Sequence, residues 1–154
     1  MKSRRRIQMK ISTKGRYAIR LMLDIAEHND RGNVSLKDVS KRQDISLKYL
    51  EQIVNMLSKA GLVRAHRGAQ GGYRLQRDAD KITIGDILRV TEGDIAPVAC
   101  LETEQNTCPR AASCPTLSFW EGLYRTINEY LDGTTLAQLA VKDQADAMDM
   151  CLYI

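Results

Sequence analysis

Three cysteines, Cys100, Cys108 and Cys114, fall within fifteen residues, separated by seven and five others. Soft thiolates this close in sequence suit an iron–sulfur cluster or zinc. Three ligands leave one tetrahedral position for a further group. Zinc motifs usually hold a close pair, about two to four residues apart, and none occurs here. A thiol switch or a disulfide is the competing chemistry, and three inert cysteines the third reading. Cys151 is remote and reads as an ordinary cysteine.

A second group could read DNA. Lys48, Glu51, Gln52 and Asn55 recur at three- and four-residue spacing, which sets them on one helix face. Gln pairs with adenine, Glu accepts from the cytosine amino group, and Lys reaches guanine or phosphate. The same pattern also describes an ordinary solvated face. Arg67-Gly68 begins a tip with three glycines in five residues. Glycines let backbone approach a sugar-phosphate wall, and an arginine there can enter a minor groove; the alternative is a plain glycine-rich hairpin. Gly68, Gly71 and Gly72 lack the phosphate-loop spacing, and no Lys-Ser or Lys-Thr follows them. The two histidines form no nucleophile arrangement, and His28 reads as a surface residue. No catalytic set is present, so an enzyme is not expected.

Charge separates the chain into halves. The first 77 residues hold 18 Lys or Arg against six Asp or Glu, a net +12, and the remainder carries −8. A basic half beside an acidic one suits a nucleic-acid reader joined to a sensing or dimerising part, although basic surfaces also meet membranes and acidic proteins. At 154 residues, 44% of them hydrophobic, one domain with an appendage can form a core. No apolar run approaches the ~18 residues of a membrane span. The basic start lacks the apolar stretch of a secretory signal, so a cytoplasmic protein without membrane association is expected. Lys2, Arg4, Arg5 and Arg6 precede a second possible start at Met9 and form either a phosphate-touching arm or a dangling tail.

The elements that position these groups follow from periodicity. Ala18, Leu21, Met22, Ile25 and Ala26 mark one face of a helix over 13–28. Ser35, with Asp38 three residues on, caps a short helix to about Gln43. After Asp44-Ile45-Ser46, a third helix buries Leu47, Leu50, Ile53, Val54 and Leu57, and Gly61 follows its end. Two helices on a three-residue turn read as helix-turn-helix. Strands over 62–67 and 73–77 form a hairpin, made basic by Arg64, Arg67, Arg74 and Arg77. Thr83 caps a fourth helix, with Ile84, Ile87 and Leu88 facing in. A loop runs over 93–115. A long helix over 116–131 carries a heptad-like seam of Leu117, Trp120, Tyr124, Ile127 and Leu131, with Leu123 and Tyr130 alongside. Thr134 is expected to cap a last short helix containing Leu136 and Leu139. The fold class is mainly α with a small β-hairpin wing. The expected units are a DNA-binding domain over 9–92, the cysteine loop over 93–115, the long and short helices over 116–140, and a weakly ordered tail over 141–154.

Ile11-Ser12-Thr13-Lys14-Gly15-Arg16-Tyr17-Ala18, Ser46-Leu47-Lys48-Tyr49-Leu50-Glu51-Gln52, Gly61-Leu62-Val63 and Arg67-Gly68 with Gly71-Gly72-Tyr73 resemble the bacterial Rrf2 family of winged-helix regulators. The cysteine loop, Phe119-Trp120 and Thr134-Thr135-Leu136-Ala137-Gln138-Leu139 are most similar to its iron–sulfur cluster regulators. The resemblance runs from about Met9 to Ala140. It implies a homodimer paired through the long helix, a two-fold operator in double-stranded DNA, and a [2Fe–2S] cluster on Cys100, Cys108 and Cys114 that changes DNA affinity or site preference. Regulators of this type typically control cluster-assembly genes. By the same resemblance Glu51 matches a glutamate linked to sequence discrimination, Arg67 matches a minor-groove arginine, and Lys48 stands where a small polar residue is usual.

Two departures matter. The loop is two residues longer between its first two cysteines than in the best-known cluster regulators, and Leu117 replaces the histidine they use as fourth ligand. Leucine cannot ligate iron. The fourth position then falls to Glu102, Glu104, a partner-subunit group or an exogenous species. Relatives that sense nitric oxide use a [4Fe–4S] cluster on three cysteines and a carboxylate, and the cysteine-metabolism repressors share the N-terminal motifs without needing a cluster. From another class, a thiol- or metal-handling protein that does not bind DNA remains the alternative.

Overall fold

The computed structural model describes residues 10–141; the N-terminal basic arm, Cys151 and all but the first residue of the expected tail lie outside them. Helix α1 (Thr13–His28) begins at Ser12, whose hydroxyl accepts the Gly15 N–H at 3.2 Å. Its inner face places Ala18, Leu21, Met22 and Ile25 at zero exposure. A single 3₁₀ turn (Asn29–Arg31) ends at Gly32, and α2 (Leu36–Gln43) starts on the Ser35 cap. The tight turn into α3 (Leu47–Lys59) depends on Asp44, whose φ of 52° is the one positive value at a non-glycine among the described residues. Asp tolerates the left-handed region because its short polar side chain bonds locally. Ile45, 3% exposed, anchors this turn in the core. Helix α3 buries Leu50, Ile53, Val54 and Leu57, while Leu47 is half-buried at its start.

Strands β1 (Val63–His66) and β2 (Gly72–Leu75) pair antiparallel, Val63 opposite Leu75 and His66 opposite Gly72. Both are shorter than the hydrophobic pattern suggested. Val34 adds a one-residue bridge, exchanging two backbone hydrogen bonds of 2.9 and 2.8 Å with Tyr73. This contact requires glycine at 72, since a Cβ there would lie 2.6 Å from the Val34 carbonyl oxygen. Helix α4 (Ile84–Glu92) carries a reciprocal capping box between Thr83 and Asp86 and buries Ile84, Ile87 and Leu88.

The loop that follows has more structure than expected, with 3₁₀ turns at Ala99–Leu101 and Ala111–Ser113. Helix α5 (Leu117–Gly133) has no fully buried residue. It is fastened to α4 by Arg89, whose guanidinium donates to both Asp132 oxygens at 2.6 and 3.0 Å and to Asn128 at 2.7 Å. Residues 136–141 are helical. Their cap is Thr135, not Thr134: Thr135 and Gln138 exchange side-chain and backbone hydrogen bonds, whereas the Thr134 hydroxyl donates back to Tyr130. A backbone bond from Leu136 to Ile82 draws Leu136 fully into the core. Val141, assigned to a weakly ordered tail by sequence, is the last described helical residue. Among the described residues no helix is long and apolar enough to cross a membrane.

Candidate nucleic-acid interface and cysteine loop

The outer face of α3 follows from its amphipathic pattern. With Leu50, Ile53, Val54 and Leu57 turned into the core, Lys48, Glu51, Gln52 and Asn55 are exposed. The side chains of Lys48, Glu51 and Gln52 have no hydrogen bond, ion pair or ring contact with another described residue, and neither has Arg67. Arg67 and Gly68 are exposed at the hairpin tip, which a 3.0 Å bond from the Gly71 N–H to the Gly68 carbonyl closes. A second tether comes from Asn33, whose side-chain amide donates to the Gln70 carbonyl at 2.9 Å. The structure thus leaves two uncommitted polar groups, one on α3 and one at the hairpin tip.

Other cations are already engaged. Arg74, counted by sequence among the wing's basic residues, donates to the Asn29 carbonyl at 2.8 Å and so ties β2 to the end of α1. Arg77 lies 3.7 Å from Asp86. Arg42 grips Asp24 with three guanidinium bonds of 2.6 to 3.2 Å, and Gln43 adds a fourth at 2.9 Å. Asp24 is 1% exposed. Burial on its own would raise its carboxyl, but the hydrogen bonds from Arg42 and Gln43 and the charges of Arg42 and His28 hold it below the ordinary carboxylate range. His28, expected on the surface, is half-buried, and its Nδ1 donates to the Asp24 carbonyl at 2.8 Å. Sequence reasoning missed Asp24 and its partners. A lone acid on the apolar face of α1 was the available signal.

The cysteines occupy the loop between α4 and α5. Cys100 lies in the first 3₁₀ turn and is half-buried; Cys108 is exposed; Cys114 precedes α5 and is half-buried. All three are free thiols. Cys114 Sγ lies 3.5 Å from the Thr116 hydroxyl. That bond, with the backbone of Thr116 and Leu117 and the charge of Arg110, outweighs desolvation and lowers the Cys114 thiol below its ordinary range. The donor chemistry fits a thiolate-bound cluster. The geometry is open, because among the described residues no three Cys, His, Asp or Glu side chains converge into a metal cage. Leu117, at the first position of α5, is half-buried, and Glu102 and Glu104 are exposed. The Asn106 Oδ1 accepts the Cys108 N–H at 3.0 Å while its buried amide nitrogen lacks a partner among the described residues. One end of the loop is anchored by Tyr124, whose hydroxyl donates to Asp94. That bond, burial and the Asp94 charge raise the Tyr124 hydroxyl above its ordinary range, against a smaller lowering by Asn128 and Arg89.

The long helix differs in facing from its sequence pattern. Ile127 and Leu131, assigned to one seam, pack in part on their own chain's core. The large apolar groups left exposed on α5 are Phe119 (63%) and Tyr130 (74%). Phe119 meets Trp120 edge to face at 4.9 Å.

Known proteins share this fold. The profile of the Rrf2 family, described as iron-dependent transcriptional regulators, matches residues 11–142. The HTH-type transcriptional regulator CymR of Bacillus subtilis strain 168 is 41% identical over 146 residues, covering 95% of this chain and 100% of that protein. Its solved structure, described as that of a global cysteine regulator, superposes with a TM-score of 0.72 over 86% of this chain and 97% of that one. IscR of Aliivibrio salmonicida is 41% identical over 136 residues, 88% of this chain and 80% of that protein. The structure of T. potens IscR matches at 43% identity and a TM-score of 0.70, covering 90% of each chain.

Proposed function

Because the chain belongs to the Rrf2 family of transcriptional regulators, we propose that it is a homodimer whose binding to a two-fold operator is governed by an iron–sulfur cluster on Cys100, Cys108 and Cys114. It is a DNA-binding regulator and not an enzyme. In this reading α3 enters the major groove, where Lys48, Glu51 and Gln52 meet base edges, while Arg67 and Gly68 place the wing against the minor groove. Helix α5 offers Phe119 and Tyr130 to a second copy. Residues 9–92 read DNA, 93–115 sense, and 116–140 dimerise.

The observation that carries the cluster reading is the set of three free thiols in one loop. A [2Fe–2S] cluster there would supply a one-electron redox site. The chain's own part is to bring three loop positions together and to provide or recruit a fourth donor in place of Leu117. Ordering the loop can change operator affinity only if the ordered and open forms bind DNA differently. Genes for iron–sulfur cluster assembly are the expected targets. Anaerobic reconstitution, with iron, acid-labile sulfide and visible absorption measured on wild type and Cys108→Ala, tests this. Bound iron and colour lost in the variant support it; a colourless wild type ends the cluster reading and leaves DNA binding standing.

A second reading is favoured by the absence of a converged donor set among the described residues and by the full-length match to CymR. Here the chain is a cluster-independent repressor of cysteine metabolism, and the colourless protein would still shift its promoter. Gel shifts at two salt concentrations separate both readings from a thiol- or metal-handling protein, because phosphate contacts impose a steep loss of affinity with salt.

A further inference from the structure

Between α1 and the recognition helix, at the edge of the core, runs a polar and aromatic relay of half-buried Tyr17 and Tyr49 with exposed Arg20. Tyr17 on α1 meets Tyr49 on the first turn of α3, ring centroids 5.7 Å apart and planes at 82°. Edge-to-face pairs of this kind fix relative orientation as well as adding contact. Tyr49 stands between Lys48 and Gln52, and its N–H is held by the Ser46 cap at 3.3 Å. The Arg20 guanidinium lies over the other side of the relay, its Cζ 5.4 Å from the Tyr17 centroid. The same guanidinium donates through Nε to Gln43 Oε1 at 3.1 Å and through Nη2 to the Gln43 carbonyl. Gln43 is the last residue of α2, so this donation satisfies a carbonyl at the helix C-terminus and adds a favourable positive charge there. Gln43 in turn donates to buried Asp24. One arginine therefore touches both ends of the turn geometry: the residue that ends α2 and, through Tyr17, the ring that orients the start of α3.

Building on the DNA-reading proposed above, we propose that Arg20 is a positioning residue for operator specificity. It acts through the Gln43 turn and the Tyr17–Tyr49 pair to set the angle at which Lys48, Glu51 and Gln52 meet the bases. Arg20 is itself exposed and basic, so the competing role is a phosphate contact. The two roles differ in what lysine can replace. Lysine keeps the charge but lacks the planar fork that bonds Gln43 twice and stacks on a ring.

The test compares wild type, Arg20→Lys, Arg20→Ala and Tyr17→Phe. Binding to the promoter fragment and to random-sequence DNA is measured across a salt series, with base preferences from a randomised pool and melting temperature in parallel. Positioning predicts that Arg20→Lys loses about tenfold of the specific-to-random affinity ratio, the scale of one base contact misplaced. Its random-DNA affinity and salt slope stay at wild-type values, and its melting temperature falls only slightly, because lysine keeps the positive charge at the α2 C-terminus. Arg20→Ala shares the loss of ratio, and Tyr17→Phe, which retains the ring, behaves as wild type. An Arg20→Lys variant with unchanged specificity overturns the proposal. So does an Arg20→Ala variant that weakens both DNAs equally with a shallower salt slope, since that identifies a phosphate contact. Failure of wild type to prefer the promoter over random DNA defeats the operator reading itself, an outcome distinct from failure of the Arg20 series on a protein that does discriminate.

Discussion

The DNA-reading head and the segment after Glu92 are built on different terms. In α1 through α4 each helix turns an apolar face inward, and eight medium or large apolar side chains on them, from Leu21 to Ile87, are fully buried. Helix α5 is longer than any of them and has no fully buried residue. It is held by polar joints, Arg89 to Asp132 and Asn128, and Tyr124 to Asp94. The loop before it carries three free thiols and, at Asn106, a buried amide without a partner among the described residues. A well-filled core resists small displacements because its contacts are close-packed. Polar joints at partly exposed positions are worth little each. The contrast assigns rigidity to the part proposed to present base-reading groups, and adaptability to the part proposed to respond to a ligand and a partner.

The largest effect is expected where packing is tightest. Leu57→Ala on α3 opens a cavity at a site with zero exposure and should cost about 2–5 kcal/mol, measured by denaturant unfolding. A cost comparable to a surface substitution would mean the head is not the rigid part, and the contrast would fail.

Next comes the polar joint inside the head. Asp24→Asn keeps the volume but leaves the Arg42 fork facing an amide. Loss of one partner of a buried pair costs about 3–5 kcal/mol, and Arg42, 36% exposed, can turn partly to water, so about 2 kcal/mol is expected. The pH dependence has a definite sign. The folded-state carboxyl is lowered, so its contribution is complete above the ordinary aspartate value of about 3.9 and is lost as pH falls through the lower folded value. The stability gap between wild type and variant should be flat near neutrality and close in acid. A gap that widens below about pH 4 would contradict the assigned charge state.

Arg67→Ala tests the head's surface instead of its interior. Arg67 has no partner among the described residues, so unfolding should be unchanged, while operator binding weakens by about 1–3 kcal/mol if it makes a specific minor-groove contact. Unchanged operator affinity removes it from the interface.

Local rules explain what could be foreseen in this chain. The bounds of α1 follow from a 3.6-residue apolar period, and the start of α4 from a Thr83–Asp86 capping box, both encoded within a few residues. The exposure of Lys48, Glu51 and Gln52 follows from the buried stripe on the same helix. The acid on the apolar face of α1 signals that Asp24 needs a partner, but which residues pair with Asp24 and Arg74 could not be foreseen, because they lie 18 to 45 residues away. The same reason hid the facing of α5. Its apolar residues occupy two adjacent faces, and only the placement of α4 decides that Ile127 and Leu131 turn to the core while Phe119 and Tyr130 stay outside. Thr134 and Thr135 are equally good caps by type; the Leu136 to Ile82 bond settles which one serves.

The smallest expected effect on folding is at the surface of α5, and it separates the two regions most cleanly. Tyr130 is 74% exposed, so Tyr130→Ser removes little packing within one chain and should change the unfolding free energy by under about 0.5 kcal/mol at concentrations where the protein is monomeric. In a dimer joined through α5 the same ring would be covered, and aromatic side chains are prominent among the few that dominate association. Sedimentation over a concentration series should therefore show a weakened dimer in the variant, with a melting temperature that differs from wild type only when wild type is associated. A concentration-independent drop in melting temperature would make Tyr130 part of the monomer's own fold, and α5 would then belong with the rigid head.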